Sequence, residues 1–386
     1  MVDNAKLTSA AYRIIFSIKP LADLDSLEGV WRDLETRADC SFFLSWQWIG
    51  CWLRETSLRP AVVAGRLDGR VVSLALFVAR RMWRHRWLHA NTIFLHETGD
   101  PSLDINFIEY NGILVDRTLG AAAIERCLEF LIGIRMIDST SAAWDELYLG
   151  GIPMDYIESL ERCGLPLRIA ARKPSSAIDF AALRADRRSY LDGLSANTRY
   201  QIRRSMRLYE KRGPLRVEVA ADMTQALAFL DGLKVLHQKH WELRDKGGAF
   251  SYPFLERFHR SLIGRSLPDG NAELLRISAG EEPIGYLYNF IWRGWVGTYL
   301  SGFAYEEDAR LKPGLVSYCL CAERHLANGM RVQDFLAGND RYKTSLGKPG
   351  PDMFWLALQR PRLRFRLESA LRRIKHALRA PRDERD

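Results

Sequence analysis

The sequence predicts an α/β (α+β) protein in which one domain plan occurs twice. Three observations lead there. The chain has 386 residues, and at roughly 150 residues per domain that means two or three domains. Hydrophobic residues make up 47% and charged residues 27%. Such a chain can bury a core, which excludes disordered, collagenous and low-complexity classes. Finally, each half runs helix, strand, hairpin, strand, helix, short strand. The two hairpin turns lie about 210 residues apart, a period that fits a duplicated domain and not a solenoid.

In the first half, residues 26–56 read as helical and hold Trp31, Phe42, Phe43, Trp46, Trp48, Ile49 and Trp52. Ala61 to Ala64 and Val71 to Val78 are apolar strands. The turn Leu67-Asp68-Gly69-Arg70 between them marks a hairpin. Residues 81–97 are basic and aromatic and continue a strand into a loop. Ile105, Phe107 and Ile108 signal a strand within 104–115. Ile124, Leu128 and Leu131 set helical spacing over 119–134. Leu147 to Leu149 is a short buried strand, and Met154 to Cys163 a helix stopped by Gly164.

The second half opens near Ser175. A basic helix over 195–212 ends at Gly213-Pro214. Leu215 to Val219 is a strand, and 222–242 and 252–264 are helices. The next hairpin pairs Leu274 to Ser278 with Ile284 to Trp292, turning at Ala279-Gly280-Glu281-Glu282. A strand from Trp295 to Phe303 leads through a loop into a helix from Gly314 to Asn328. Val332 to Leu336 and Phe354 to Gln359 are the last strands.

Chemistry concentrates in this half. In Arg310-Leu311-Lys312-Pro313-Gly314-Leu315 a strand feeds a helix through a Pro-Gly turn. The first amides of that helix have no partner within it, and with two cations alongside they suit a phosphate. The alternative is an ordinary capped loop. Asp334-Phe335-Leu336-Ala337-Gly338-Asn339-Asp340-Arg341-Tyr342-Lys343 follows a buried strand, and strand ends are where α/β proteins place reactive groups. A salt-bridged turn is the alternative. Arg199, Arg203, Arg207 and Lys211 recur every four residues and share one helix face. Either acidic residues elsewhere in the fold or a phosphate group balances them.

The net charge is +9, which permits an anionic partner without requiring one. Eleven Trp suggest amphipathic surfaces along a groove as well as core. Six scattered cysteines, with one lone Cys319-x-Cys321, give no zinc pattern and read as free thiols in a reducing cytosol. His85, His89 and His96 near Glu97 match no zinc spacing, so no metal is expected. No signal peptide or spanning segment is read. In the tail, Leu363, Leu367, Leu371, Ile374 and Leu378 form an apolar face among arginines and Lys375. It suits an anionic membrane surface or packing on the domain. The expected location is cytoplasmic, with peripheral contact through 361–386. No DNA-reading motif is present, so no DNA partner is expected.

Taken together, the R-x-x-x-R-R helix, the Trp-bearing helix, the hairpin, the Pro-Gly turn and D-F-L-A-G-N-D-R-Y-K resemble the GNAT superfamily. The branch they resemble is the acetyltransferase-like one linked to cellulose and exopolysaccharide biosynthesis, called CelD-like and related to Fem-type aminoacyltransferases. Phe42 to Ile49 and the strand pair around Asp68-Gly69 resemble that branch's N-terminal half. The resemblance implies tandem GNAT-like domains, each a mixed, mostly antiparallel sheet flanked by helices. The divisions are a degenerate domain over 1–172, an acyltransferase domain over 173–360 and a basic amphipathic tail over 361–386.

It also implies an acyl-CoA co-substrate, acetyl-CoA among others, held in a split between central strands by Arg310, Lys312, Gly314, Leu315 and Tyr299. Pro313 and Leu315 stand where the superfamily loop carries glycine and a small residue. The implied reaction moves an acyl group to an amine of an amino sugar or polysaccharide precursor. Asp334 or Asp340 would take the amine proton, and Tyr342 would protonate the departing thiolate. Arg199, Arg203, Trp241, Tyr288 and Lys343 would bind the small-molecule or glycan acceptor. A Fem-type transferase would use aminoacyl-tRNA instead. A non-catalytic scaffold of an exopolysaccharide assembly is the third reading.

Overall fold

A computed structural model describes residues 13–84, 88–106, 108–137, 142–242 and 248–368. Two sheets organise the chain; the core elements of each half follow one order, and the second half adds a strand and three helices in front of them.

The first half opens with β1 (Ile15–Pro20), α1 (Leu24–Arg37) and α2 (Trp46–Thr56). Asp23 caps α1 by accepting from the Ser26 amide at 2.7 Å, and Ser45 caps α2 through the Trp48 amide. The aromatic stretch is thus two helices with a 3-10 turn at Phe42–Leu44 between them. Next come β2 (Ala61–Leu67) and β3 (Arg70–Arg84). Asp68 (φ 50°) and Gly69 (φ 81°) take the left-handed pair of angles that this tight hairpin needs.

After β3 come β4 (Leu88–Leu95), β5 (Leu114–Val115), α3 (Gly120–Gly133), β6 (Glu146–Pro153), α4 (Asp155–Arg162) and β7 (Leu167–Lys173). Residues 88–95, expected within a loop, form a strand because β3 pairs with them from Phe77↔Leu95 to Arg84↔Leu88. Of the strand expected within 104–115, the described residues form only the short β5; Ile105 and Ile108 sit in the loop before it, and Phe107 lies outside the described residues.

The second half runs β8 (Ser176–Asp179), α5 (Phe180–Ala185), α6 (Tyr190–Gly193), α7 (Ala196–Glu210), β9 (Leu215–Val219), α8 (Met223–Glu242) and α9 (Pro253–Ser266). Then follow β10 (Ala272–Ala279), β11 (Glu282–Trp292), β12 (Trp295–Phe303), α10 (Pro313–Ala327), β13 (Val332–Asp334), α11 (Arg341–Leu346), β14 (Lys348–Pro349) and β15 (Met353–Gln359).

The strand orders are β1-β2-β3-β4-β6-β15-β7, with β5 beside β3, and β14-β8-β13-β12-β11-β10-β9. Each sheet holds one parallel pair at its centre, β4 with β6 and β12 with β13. The sheets are therefore mixed, mostly antiparallel and flanked by helices, twice over. One expectation needs correction. Met353–Gln359 does not close the second sheet at the end of a 173–360 domain. It runs between β6 and β7 and completes the first sheet. Its seven residues are all buried, and such a strand goes where both neighbours offer partners. In the second sheet the matching place beside β13 is held by β8.

One core cluster crosses between the halves. Phe42 stacks on Phe290 with ring centroids 4.3 Å apart, and Trp48 meets Phe258 at 5.0 Å. Helix α2 packs against α9. Six of the tryptophans (Trp31, Trp46, Trp48, Trp52, Trp144 and Trp355) are buried. No described helix is long and apolar enough to cross a membrane.

Candidate active site

Strands β12 and β13 pair only from Trp295↔Val332 to Gly297↔Asp334. Beyond that point β12 runs on to Phe303, while the other chain turns off through Leu336 at φ 61°. Opposite β11, the register shifts between Tyr288↔Leu300 and Asn289↔Thr298, so Tyr299 is the extra residue of a bulge. A bulge bends its strand and increases local twist. Here it lies where pairing with β13 stops, and the sheet opens.

The first sheet has the same layout with a different outcome. Pairing of β4 with β6 stops at Phe94↔Tyr148. There the buried Asn111 side chain donates to the carbonyls of Leu95 and Gly150, both at 3.0 Å. Its Oδ1 is held by His96 Nδ1 at 2.9 Å. That gap is stitched by the chain itself. Among the described residues, no comparable side-chain bond to backbone spans the gap beyond Gly297.

Both halves contribute to the open gap. Glu109 lies on the loop before β5 and is 8% exposed. Its Oε2 accepts from the Ala337 amide at 2.7 Å. Burial raises its pKa to about 7, with the Ala337 hydrogen bond and the nearby Lys343 acting against that rise. Lys343, on α11, donates to the carbonyls of Ala337 at 2.7 Å and Leu336 at 3.3 Å. Burial pulls its ammonium pKa down. Tyr110, held at φ 48°, donates to Asp334 Oδ2 at 2.5 Å.

Sequence reasoning missed Glu109 and Tyr110. They sit about 230 residues from the Asp334 segment in sequence, and nothing local to Ile108-Glu109-Tyr110 marks them.

The opposite wall is aromatic. Tyr342 stacks on Tyr318 with centroids 5.1 Å apart and planes 5° from parallel. The Tyr318 hydroxyl donates to Ser301 Oγ at 3.0 Å. Burial raises the Tyr342 phenol to about 12, so it keeps its proton at neutral pH. Phe303 and Tyr305 continue the row toward the end of β12.

Helix α10 starts beside this gap. Pro313 is its first residue, and no side chain caps it. The Lys312 amide, just outside, donates to Ser205 Oγ of α7 at 2.8 Å. That bond ties the basic helix to the α10 start. The amides of Gly314 and Leu315 have no acceptor within the helix, while Pro313 has no N–H to give. Two such amides suit an anion.

The remaining expected residues fall as follows. Asp334 is buried and already engaged by Tyr110, by the Leu336 amide at 2.7 Å and by Trp295 Nε1 at 3.4 Å. It holds the gap's rim, so the proton-accepting role expected of it does not fit its surroundings. Asp340 is exposed and precedes α11. Arg310 is exposed and folds back on Asp308 at 2.8 Å.

Tyr288 is completely buried among His259, Phe290 and Tyr299, so the expected stacking platform is not accessible. Trp241 is half-buried at the end of α8, donating to His237 at 3.0 Å. Arg203 lies 3.9 Å from Asp192, and Arg199 donates to the Asp192 and Leu194 carbonyls. Asp192 thus supplies part of the counter-charge expected for the stripe. Leu371, Ile374, Leu378 and Lys375 of the tail lie outside the described residues. Within its described part, Arg362 and Arg364 pair with Asp145 of the first half.

Residues 196–344 match the family model described as Acetyltransferase (GNAT) domain. The match runs from α7 into α11 and takes in β12, β13 and the α10 start. Two solved structures share the fold. FemX is 11% identical, covering 89% of this chain and 95% of its own, with a TM-score of 0.54. A C-terminal domain (DUF2156) assigned to a lysylphosphatidylglycerol synthetase of Agrobacterium fabrum is also 11% identical. It covers 92% of this chain and 97% of its own, with a TM-score of 0.50. Comparison with curated protein sequences gives no match. The fold is a doubled GNAT/Fem-like one.

Proposed function

We propose that this chain is an N-acyltransferase that moves an acyl group from an activated ester or thioester to a primary amine. The observation that carries the reading is the unbridged gap beside an uncapped helix start, in a fold whose other gap is stitched shut by Asn111. A donor phosphate would rest on the Gly314 and Leu315 amides with Lys312 alongside, and the acyl arm would run between β12 and β13.

The chemistry follows from the residues around that gap. An amine is protonated at neutral pH and must lose a proton to attack. Glu109, with a pKa of about 7, is matched to accept it. Backbone amides of the bulged β12 would hold the oxyanion. Tyr342 would give its proton to the leaving group and recover one from solvent or Glu109.

The proposed donor is acyl-CoA, and the proposed acceptor is an amino sugar or a polysaccharide precursor, as in the CelD-like branch. Aminoacyl-tRNA is the second donor reading. It is favoured by the likeness to FemX and by the cations of α7.

The test is equilibrium binding and transfer with acetyl-CoA and with charged tRNA. Micromolar CoA binding and acylation of glucosamine-type amines are expected. Tyr342→Phe should lower turnover at least about tenfold. Tight tRNA binding without CoA binding would move the donor to the second reading. Binding of neither would leave the scaffold reading.

A further inference from the structure

The geometry points to a second binding site, over the first sheet, for a small organic cation. The first sheet carries a cleft of about 750 Å³ over β3, β4, β6 and β15, within the size range of small-molecule sites. This is not the acyl site, because the first sheet's own gap is closed by Asn111.

Five aromatic side chains line the cleft: Trp83, Phe94, Tyr148, Tyr252 and Trp355. Ring faces attract cations, most strongly where water is excluded. Four carboxylates (Glu97, Asp104, Glu146 and Glu368) share it with two guanidinium groups, Arg84 and Arg168. Arg84 is held by Glu146 and by Glu368, and Arg168 lies 3.8 Å from Glu146.

Glu97 and Asp104 make no salt bridge among the described residues. Asp104 Oδ1 accepts from the Thr98 amide at 2.8 Å and the Thr98 hydroxyl at 2.9 Å. Burial, and then the neighbouring Asp104, hold the Glu97 carboxyl well above its ordinary pKa. The Gly150 amide lies against the Glu97 carboxyl and acts against the rise in its pKa, while the buried Oε2 makes no side-chain hydrogen bond among the described residues. Burial beside Asp104 makes ionising Glu97 costly, and a ligand ammonium between the two carboxyls would offset that cost and supply a donor to both. Aromatic walls then favour an alkylated or sugar-borne amine over a hydrated metal ion.

Calorimetry on the full chain tests this with choline and glucosamine. Their neutral controls are 3,3-dimethylbutanol and N-acetylglucosamine. Saturable binding of at least one cation is expected, with its neutral control at least about tenfold weaker. Glu97→Gln should weaken the cation at least about tenfold. Trp83→Ala, which removes a 65% exposed ring from the rim, should weaken it several-fold without affecting folding. Thermal unfolding confirms that both variants fold. Equal affinity for the neutral control, unchanged binding in Glu97→Gln, or no saturable cation binding overturns the proposal. The readout is binding alone, so loss of the acyltransferase reading leaves it standing.

Discussion

At the scale of the residue, Glu109 concentrates the conflict between stability and activity. Its folded pKa of about 7 lies above the ordinary glutamate value of 4.5. The neutral form is the one the fold prefers, so its stabilising effect is complete below pH 4.5 and is lost as pH rises through 7. A base works only when ionised, so kcat/KM should rise with pH through about 7. Glu109→Gln should remove that limb and cost roughly 100-fold or more in turnover. The same change should raise the melting temperature at pH 8, where the buried charge costs roughly 3 kcal/mol. A melting temperature that falls, with an unaltered pH profile, would remove Glu109 from the site. Tyr110→Phe is a contrasting case. It strips a donor from the buried Asp334 and should cost about 1–3 kcal/mol in denaturant unfolding.

At the scale of the element, the α10 start and the β12 bulge do separable work. Lys312→Glu puts a carboxylate where the helix dipole and its cation favour an anion. It should raise KM for a phosphorylated donor about tenfold and leave kcat nearly unchanged; a kcat loss at fixed KM contradicts the assignment. Much of this element was legible in the sequence. Pro313-Gly314 announced the helix start, Trp295 to Phe303 the strand, and Asp68-Gly69 the first hairpin. The bulge at Tyr299 was not legible, because it depends on the register of β11 against β12 and alters no residue pattern. Gly302 shows the same limit. A Cβ there would stand 2.4 Å from the Leu233 carbonyl, so α8 seats on β12 only through glycine. Tyr288 looked like a platform by type and lies in the core by topology. Glu109 joined the site through a tertiary contact with Ala337 that no local spacing encodes.

At the scale of the whole molecule, the two halves are joined by the exchange of a strand. Phe354 to Gln359 read correctly as a strand, yet its partners β6 and β7 lie about 200 residues earlier, and apolar character alone names no partner. A chain truncated after Gly350 should therefore lose the first half's cooperative melting and expose two apolar strand edges. Light scattering and calorimetry check this. A first-half transition unchanged from that of the full chain would mean that β15 is dispensable. The exchange also orders events during synthesis. Ribosomes add about 5–20 residues per second, so β6 and β7 wait roughly 10–40 s for the strand that fills the slot between them. The half made first is completed last, and a holdase chaperone has its natural opening on the nascent chain at that unfilled slot.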